Sequence, residues 1–202
     1  TSPSTIKILN QPIGKLAPIE RRDLGFRAAP EERLGHAAAP SMTLIENTLM
    51  TSHSEDIVNR WGIINFENVK EKTNDIVSKF DVRTPTLDNA ATSLSGGNLQ
   101  KFVIGREILQ RPRVFVVNQP TWGVDAAAAA FIRQSILNLA SNDSAVVVIS
   151  QDLDELFEIC DTFSVLTNGQ LSRSHDIRSL SSEDVGLLMG GSDLDRKSHD
   201  TA

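Results

Sequence analysis

The chain has 202 residues, and its 20 Lys and Arg stand against 26 Asp and Glu, which gives a formal net charge of −6. This acidic balance argues against broad nucleic-acid binding, which needs a basic face. The single cysteine, Cys160, excludes an internal disulfide. No apolar run approaches the length of a membrane span and no signal peptide is visible. We therefore expect one soluble domain that buries about 70% of its unfolded surface.

The beginning of the chain predicts short elements. Thr5–Leu9 alternates like a half-buried strand, and Asn10–Pro12 is typical of a turn. Pro18–Arg22 predicts a short helix with proline near its start. Leu24–Ala28 predicts a strand that enters a loop at Pro30.

From Met42 to Lys79 the pattern is helical, and strand signals are sparse. Trp61 is either a core anchor or an exposed docking residue, and a packed core position is favoured for a large isolated aromatic. A polar linker, Asp81–Ala91, follows. The expected buried positions of the helical stretch are Ile45, Leu49, Ile57, Trp61, Val69, Ile76 and Phe80.

The stretch Thr92–Lys101 places two glycines directly after a serine, and an apolar pattern with helical spacing follows. This order predicts a tight loop that opens straight into a helix. Free backbone N–H groups at the helix start, the helix dipole and the Ser95 hydroxyl would together make a seat for an anion, most naturally a phosphate.

Two buried strands follow. Val114–Val117 is continuously apolar, as expected of a parallel strand covered on both faces, and it ends in the polar pair Asn118 and Gln119. The carboxyl ends of such strands are where α/β folds place ligands. The other predictions are a helix at Ala126–Leu139, a buried strand at Ala145–Ile149, a helix at Leu153–Ile159, a hairpin with a two-residue turn at Asn168–Gly169, a helix from Ser181 to Met189, and a disordered tail at 192–202.

This order of glycine loop, helix, strand with a polar end, Gly-Asp loop, helix and strand resembles the ATPase subunit of ABC transporters. Leu94–Gln100 resembles the signature motif of that family, and Val114–Gln119 resembles its Walker B motif. Trp122–Asp125 resembles the D-loop, and Gln151 stands at the H-loop position. The resemblance extends from about Ile6 to Gly190.

Two further features are similar to the branch of the family that imports sugars and nucleosides. Asn98 stands where most of the family has Gln, and Pro30–Arg33 is similar to the Pro-Glu-Asp-Arg stretch of that branch. The resemblance implies a P-loop NTPase-like α/β fold with a parallel sheet, an inserted helical subdomain and a truncated N-terminus. Its implied boundaries are 1–190 for a partial nucleotide-binding domain, with the helical subdomain at about 40–110, the C-terminal part of the core at 111–190 and the tail at 191–202.

The resemblance also implies ATP and Mg²⁺ as cofactors of the complete assembly, with a second ABC ATPase domain and a membrane-spanning permease as partners, and no nucleic acid. The implied place is the cytoplasmic side of the membrane, as a peripheral protein. Asp125 would lie at the interface of the two domains or cap the helix that starts at Ala126, or do both. The signature residues implied to contact a nucleotide held by the partner domain are Leu94, Ser95, Gly96, Gly97, Asn98 and Gln100.

The chain departs from the family's catalytic pattern. No G-x-x-x-x-G-K-[ST] occurs in the sequence, so we expect it to begin after that loop. Asn118 replaces the Walker B acid that holds Mg²⁺, Gln119 replaces the catalytic glutamate, and Gln151 replaces the H-loop histidine. Neutral amides keep hydrogen bonding but cannot act as a general base near neutral pH. We therefore expect a site that does not turn over, while the signature loop assists hydrolysis at a partner's site.

Two positions and two rival functions stay open. Glu31 in the loop at the Q-loop position is either a site residue or part of a solvated charge cluster, whereas Glu32 and Arg33 are expected to be solvated. The rivals are an inactive pseudo-ATPase that acts as an interaction module, and a non-transport ABC-family ATPase. An unpaired strand edge predicts self-association, as a homodimer or as aggregates. The scattered histidines, which predict no metal site, are His36, His53, His175 and His199.

Overall fold

The computed structural model describes residues 5–52, 57 and 61–191. The chain divides into two compact units, Thr1–Gln151 and Asp152–Ala202. The predicted disordered tail at 192–202, His53 and His199 lie outside the described residues.

A three-stranded parallel sheet forms the centre of the first unit. Its order is β3 (Phe26–Ala29), β4 (Val114–Asn118) and β5 (Ala145–Ile149), with β4 in the middle. The register pairs Ala29 with Val117 and Asn118 with Ile149, so the carboxyl ends of all three strands meet at one edge of the sheet. The predicted parallel sheet is confirmed.

The two faces of this sheet differ in burial. Phe115 and Val117 are fully buried, whereas Val147 and Ile149 on the opposite face of β5 are 49% and 50% exposed. The prediction that Ala145–Ile149 is a buried strand is therefore wrong. Successive side chains of a strand point to opposite faces, and within the described residues only the face that carries Phe115 and Val117 is well covered.

Five helices of the first unit are described with the sheet, and four of them begin after a residue type that is typical of an N-cap. The side chains of Thr43, Asn65, Ser95 and Asp125 each accept a hydrogen bond from the backbone N–H three residues later, which is the N-cap geometry. The helices are α1 (Pro18–Asp23), α2 (Leu44–Thr51), α3 (Phe66–Lys79), α4 (Gly96–Ile108) and α5 (Ala126–Ala140).

Close packing of α3 on α4 depends on a glycine. A Cβ added to Gly105 would lie 2.6 Å from two ring atoms of Phe80, and the Phe80 ring in turn meets Phe131 edge to face with centroids 5.6 Å apart. The predicted core positions Ile57, Val69, Ile76 and Phe80 are buried, and Ile45 and Leu49 are half-buried.

The prediction that Trp61 is a core anchor is wrong, because its side chain is 76% exposed.

The start of the chain also differs from its prediction. The predicted strand Thr5–Leu9 shrinks to β1 (Lys7–Ile8), which pairs with β2 (Gln11–Pro12) inside the predicted turn. The actual turn residues, Leu9 and Asn10, have positive φ angles of 50° and 62°, the conformation that tight hairpin turns require.

The second unit begins with α6 (Leu153–Ile159). Two antiparallel pairs follow: β6 (Thr162–Phe163) with β9 (His175–Asp176), and β7 (Leu166–Thr167) with β8 (Gln170–Leu171). The predicted turn at Asn168–Gly169 joins β7 to β8, and both residues have positive φ. The unit ends with α7 (Ser182–Met189), whose N-cap Ser181 exchanges hydrogen bonds with Asp184, as a capping box does.

Among the described residues, no helix combines the length and the apolar character needed to cross a membrane.

Candidate functional site

The serine-glycine loop opens into a helix, as predicted. Ser95 is the N-cap of α4, and its Oγ accepts hydrogen bonds from the Asn98 backbone N–H at 3.4 Å and from Asn98 Nδ2 at 2.9 Å. Ser95 and Gly96 are exposed, and Leu94 and Gly97 are half-buried. The first backbone N–H groups of a helix have no intrahelical acceptor, so Gly96 and Gly97 present donors at the positive end of a 13-residue helix.

Asn98 ties this loop to the preceding linker, because its Oδ1 accepts a hydrogen bond from the Arg83 backbone N–H at 2.8 Å. The amide of Asn98 is therefore engaged on both sides and holds the Ser95 hydroxyl in place.

Gln100 links three segments that are far apart in the sequence. Its side chain is only 2% exposed; its Oε1 accepts a hydrogen bond from Arg33 Nε at 2.7 Å, and its Nε2 donates to the Pro120 carbonyl at 2.8 Å. The loop after β3, the helix α4 and the loop after β4 are thus joined through one buried amide. Gln100 therefore positions the loops after β3 and β4 against α4.

Arg33 is the residue that sequence reasoning missed. The prediction that Arg33 is solvated is wrong, because the residue is half-buried and lies beside the start of α4. A Cβ on Gly96 would come within 3.2 Å of Arg33 Nη1, and a Cβ on Gly123 within 3.6 Å of Nη2. Burial lowers the pKa of Arg33 below its ordinary value. The sequence could have suggested this only through the resemblance of Pro30–Arg33 to the sugar and nucleoside branch.

Asp125 begins the helix α5 and also lies beside the signature loop. Its Oδ1 accepts a hydrogen bond from the Ala128 N–H at 2.9 Å, which confirms the predicted cap. Hydrogen bonding from the Ala128 backbone also lowers the pKa of Asp125. Its Oδ2 would lie 3.6 Å from a Cβ on Gly97, so the loop before α5 and the loop before α4 are adjacent.

A cavity of about 460 Å³ opens beside this corner. Lys101 ion-pairs with Asp81 at 2.9 Å on its wall, and this contact lowers the pKa of Asp81. The residues that line the cavity include both members of this ion pair, the cation Arg83 and the aromatic ring of Phe131. The full lining is Asp81, Arg83, Ser95, Gly97, Asn98, Lys101, Asp125, Ala127, Ala128 and Phe131.

The polar ends of β4 and β5 hold the three neutral positions. Asn118 is the last residue of β4, and Gln119 after it is buried in a left-handed conformation, with φ of 51°. The Gln119 N–H donates to the Ile149 carbonyl at 2.7 Å, and its Oε1 accepts from Ser150 Oγ at 3.5 Å. Gln151, directly after Ser150, is exposed.

Glu31 is exposed in the loop after β3. In the same loop, Glu32 ion-pairs with His36 at 2.9 Å, with both side chains largely exposed, as expected of a solvated charge. Across the described ranges, no three His, Cys, Asp or Glu side chains come together as metal ligands would.

Comparison with solved structures defines the class of fold. The chain matches the dimeric post-hydrolysis structure of the ATP-binding cassette MJ0796 bound to ADP and Pi with a TM-score of 0.67 and 19% identity, over 86% of this chain and 73% of that one. The chain therefore has the ATP-binding cassette fold of the P-loop NTPase type, as its sequence predicts.

Comparison with curated proteins narrows this class. The chain is 30% identical over 192 residues to the guanosine import ATP-binding protein NupO of Bacillus subtilis (strain 168), over 95% of this chain and 38% of NupO. It is 34% identical over 171 residues to the glucose import ATP-binding protein TsgD13 of Haloferax volcanii, over 84% of this chain and 31% of TsgD13. The chain thus spans between 31% and 38% of the length of these two relatives. No family model matches it. By sequence, the chain is related to the ATP-binding proteins of sugar and nucleoside importers.

Proposed function

We propose that this chain is part of the ATP-binding component of an ABC importer for a sugar or a nucleoside, lying against a membrane-spanning permease at the cytoplasmic face of the membrane. The support is its fold together with its similarity to import ATP-binding proteins of both substrate classes.

The role within that component is to supply a signature loop to a second ABC ATPase domain. The observation that carries this proposal is the exposed start of α4, where Ser95 and Gly96 are accessible and the N–H groups of Gly96 and Gly97 have no intrahelical acceptor. A γ-phosphate held on the P-loop of the partner domain would meet these donors and the positive end of the helix. The loop is held in place by the hydrogen bonds of Gln100 and by the neighbouring side chains of Arg33 and Asp125.

The chain's own hydrolytic positions fit nucleotide binding without turnover. Asn118, Gln119 and Gln151 carry neutral amides, which neither accept a proton from water near pH 7 nor supply the anionic oxygen that Mg²⁺ prefers. The start of α4 fits the phosphates of ATP, because it presents free N–H donors. The end of β4 has no carboxylate with which to hold Mg²⁺. ATP and Mg²⁺ belong to the composite site whose P-loop and glutamate lie on the partner.

Exposed apolar residues just before α3 and at its first position are suited to contact with the permease. Trp61 is 76% exposed, Ile63 64% and Phe66 57%. Exposed apolar side chains in one short segment are typical of protein-interaction surfaces, which favours the docking interpretation of Trp61.

The test is the ATPase rate of the assembled importer. The double variant Ser95→Ala/Gly96→Ala should lower the rate by about 100-fold or more, the scale seen when a preorganised donor to a transition-state oxyanion is removed. Gln119→Ala should change it by less than about twofold, because an amide there takes no part in proton transfer. Equal losses from both variants would refute the division of roles.

The neutral positions also favour a second candidate, a catalytically inactive interaction module. In that case neither variant would change an ATPase rate, and the assembly would still import its solute. Titration of the isolated chain with Mg-ATP gives an independent check, since micromolar binding would contradict a site that depends on the partner's P-loop.

A further inference from the structure

A second cleft of the first unit is lined mainly by charged residues, most of them cations, and shares no residue with the cavity beside the signature loop. Its volume is about 580 Å³, and α1, α3 and the C-terminal end of α4 contribute its walls. Its charged lining residues give a surplus of four positive charges in a chain whose net charge is −6. The cations are Arg22, Arg27, Lys72, Lys79, Arg106 and Arg111, and the anions are Asp23 and Asp75.

The floor of the cleft is a fixed ionic cluster. Glu107 is fully buried and accepts contacts from Arg22 Nη1 at 3.2 Å and from Arg106 Nη2 at 2.9 Å. Arg106 is fixed further, because it also donates to the carbonyls of Asn47 at 3.1 Å and Ala37 at 2.7 Å. One carboxylate thus faces two guanidinium groups, which leaves one positive charge uncompensated within the cluster.

Arg27 adds a second fixed cation whose direct hydrogen-bond acceptors are all neutral. Its Nε donates to Gln110 Oε1 at 2.9 Å, and its Nη1 donates to the carbonyls of Arg22 at 2.7 Å and Phe26 at 2.8 Å. Burial and then the charge of Arg22 lower the pKa of Arg27, and Glu107 and Asp23 offset this only in part. Holding like charges together costs free energy that a bound anion would recover.

The rim of the cleft carries three further cations. Arg111 is exposed and lies at the break after α4, with φ of 51°. Lys72 is half-exposed on α3, and Lys79 on the same helix is engaged with Asp75 at 2.6 Å.

We propose that this cleft binds a small phosphate anion with two or more negative charges. The guanidinium of Arg27, held in place by neutral acceptors, and the exposed guanidinium of Arg111 can form charge-assisted hydrogen bonds with phosphate oxygens. The volume falls within the range of small-molecule sites. The site is separate from the nucleotide contacts of the signature loop and would be occupied independently of them.

The experiment uses calorimetric titration of the 202-residue chain with inorganic pyrophosphate, without Mg²⁺ and at low ionic strength. The rim variant Lys72→Gln/Arg111→Gln should weaken binding by about tenfold or more, because two charge-assisted contacts are lost. The control Lys15→Gln/Lys70→Gln makes the same change in net charge at two exposed positions outside the cleft, and it should leave the affinity within about twofold. Circular dichroism checks that both variants fold.

Location is read from NMR, where pyrophosphate should shift the Arg27 Nε–H and Gln110 side-chain signals. Absence of saturable binding would overturn the proposal, as would equal weakening by the rim and control variants. Loss of binding in Lys101→Gln would move the ligand to the signature cavity and equally refute it. Displacement of pyrophosphate by a glutamate-rich peptide that binds more tightly would show a protein-docking surface instead.

Discussion

Gln100→Met tests whether one buried amide holds the candidate site together. The substitution keeps the length and the helix propensity of the side chain but removes both hydrogen bonds of the amide. The Pro120 residue is buried, so its carbonyl loses its partner without gaining water, which costs about 1–3 kcal/mol. Arg33 is half-exposed and can be solvated again, so losing its bond costs only about 1 kcal/mol. The free energy of unfolding should fall by about 2–4 kcal/mol.

The matched control is Gln134→Met on α5, where the amide donates to Asn138 at 2.9 Å but is exposed. There the loss should stay within about 0.5 kcal/mol. Urea denaturation measures both variants, and a constant denaturant slope shows that the unfolded state is unchanged. Adding Arg33→Met closes a double-mutant cycle that should give a coupling of about 1 kcal/mol between Arg33 and Gln100. If Gln100→Met costs no more than the control, the amide does not link the three segments, and the reasoning fails.

Two further predictions concern packing and pH. Gly105→Ala should lower the unfolding free energy by about 1 kcal/mol, since crowding against the Phe80 ring at 2.6 Å exceeds the gain in helix propensity. Gly186→Ala in α7, where no atom lies within 4 Å of the new Cβ, should instead raise it by about 0.5–1 kcal/mol, and opposite signs in thermal unfolding check the pair. The pKa of Asp125 is lowered in the folded state, so its stabilisation is present above the unfolded pKa of about 3.9 and is lost as pH falls through the lower folded value. Asp125→Asn keeps the cap, so it should leave the melting temperature near pH 7 unchanged and reduce the fall of the melting temperature below pH 4. If the melting temperature of the variant falls below pH 4 as steeply as that of the original protein, the prediction is contradicted.

Local sequence predicts the parts of this site that are local in the chain. Ser95 before two glycines specifies a capped helix start, and Asp125 before an alanine run specifies another, because a cap acts within three residues. Arg33 and Gln100 are 67 positions apart, and no local pattern shows that they meet. The exposure of Trp61 and of Ile149 could not be read from the sequence either, because an apolar residue is buried only if another element covers it.

Gln119, which follows the last residue of β4, supports the neighbouring loop through its main chain. Gln119 adopts a left-handed backbone, and its N–H and carbonyl hold Ile149 at 2.7 Å and the Trp122 N–H at 3.2 Å. These bonds use the main chain alone, so they are indifferent to whether the side chain is an amide or a carboxylate. The loop that follows carries the Pro120 carbonyl, to which Gln100 donates from the signature helix. The support that this loop gives to α4 is therefore independent of whether residue 119 carries an amide or a carboxylate.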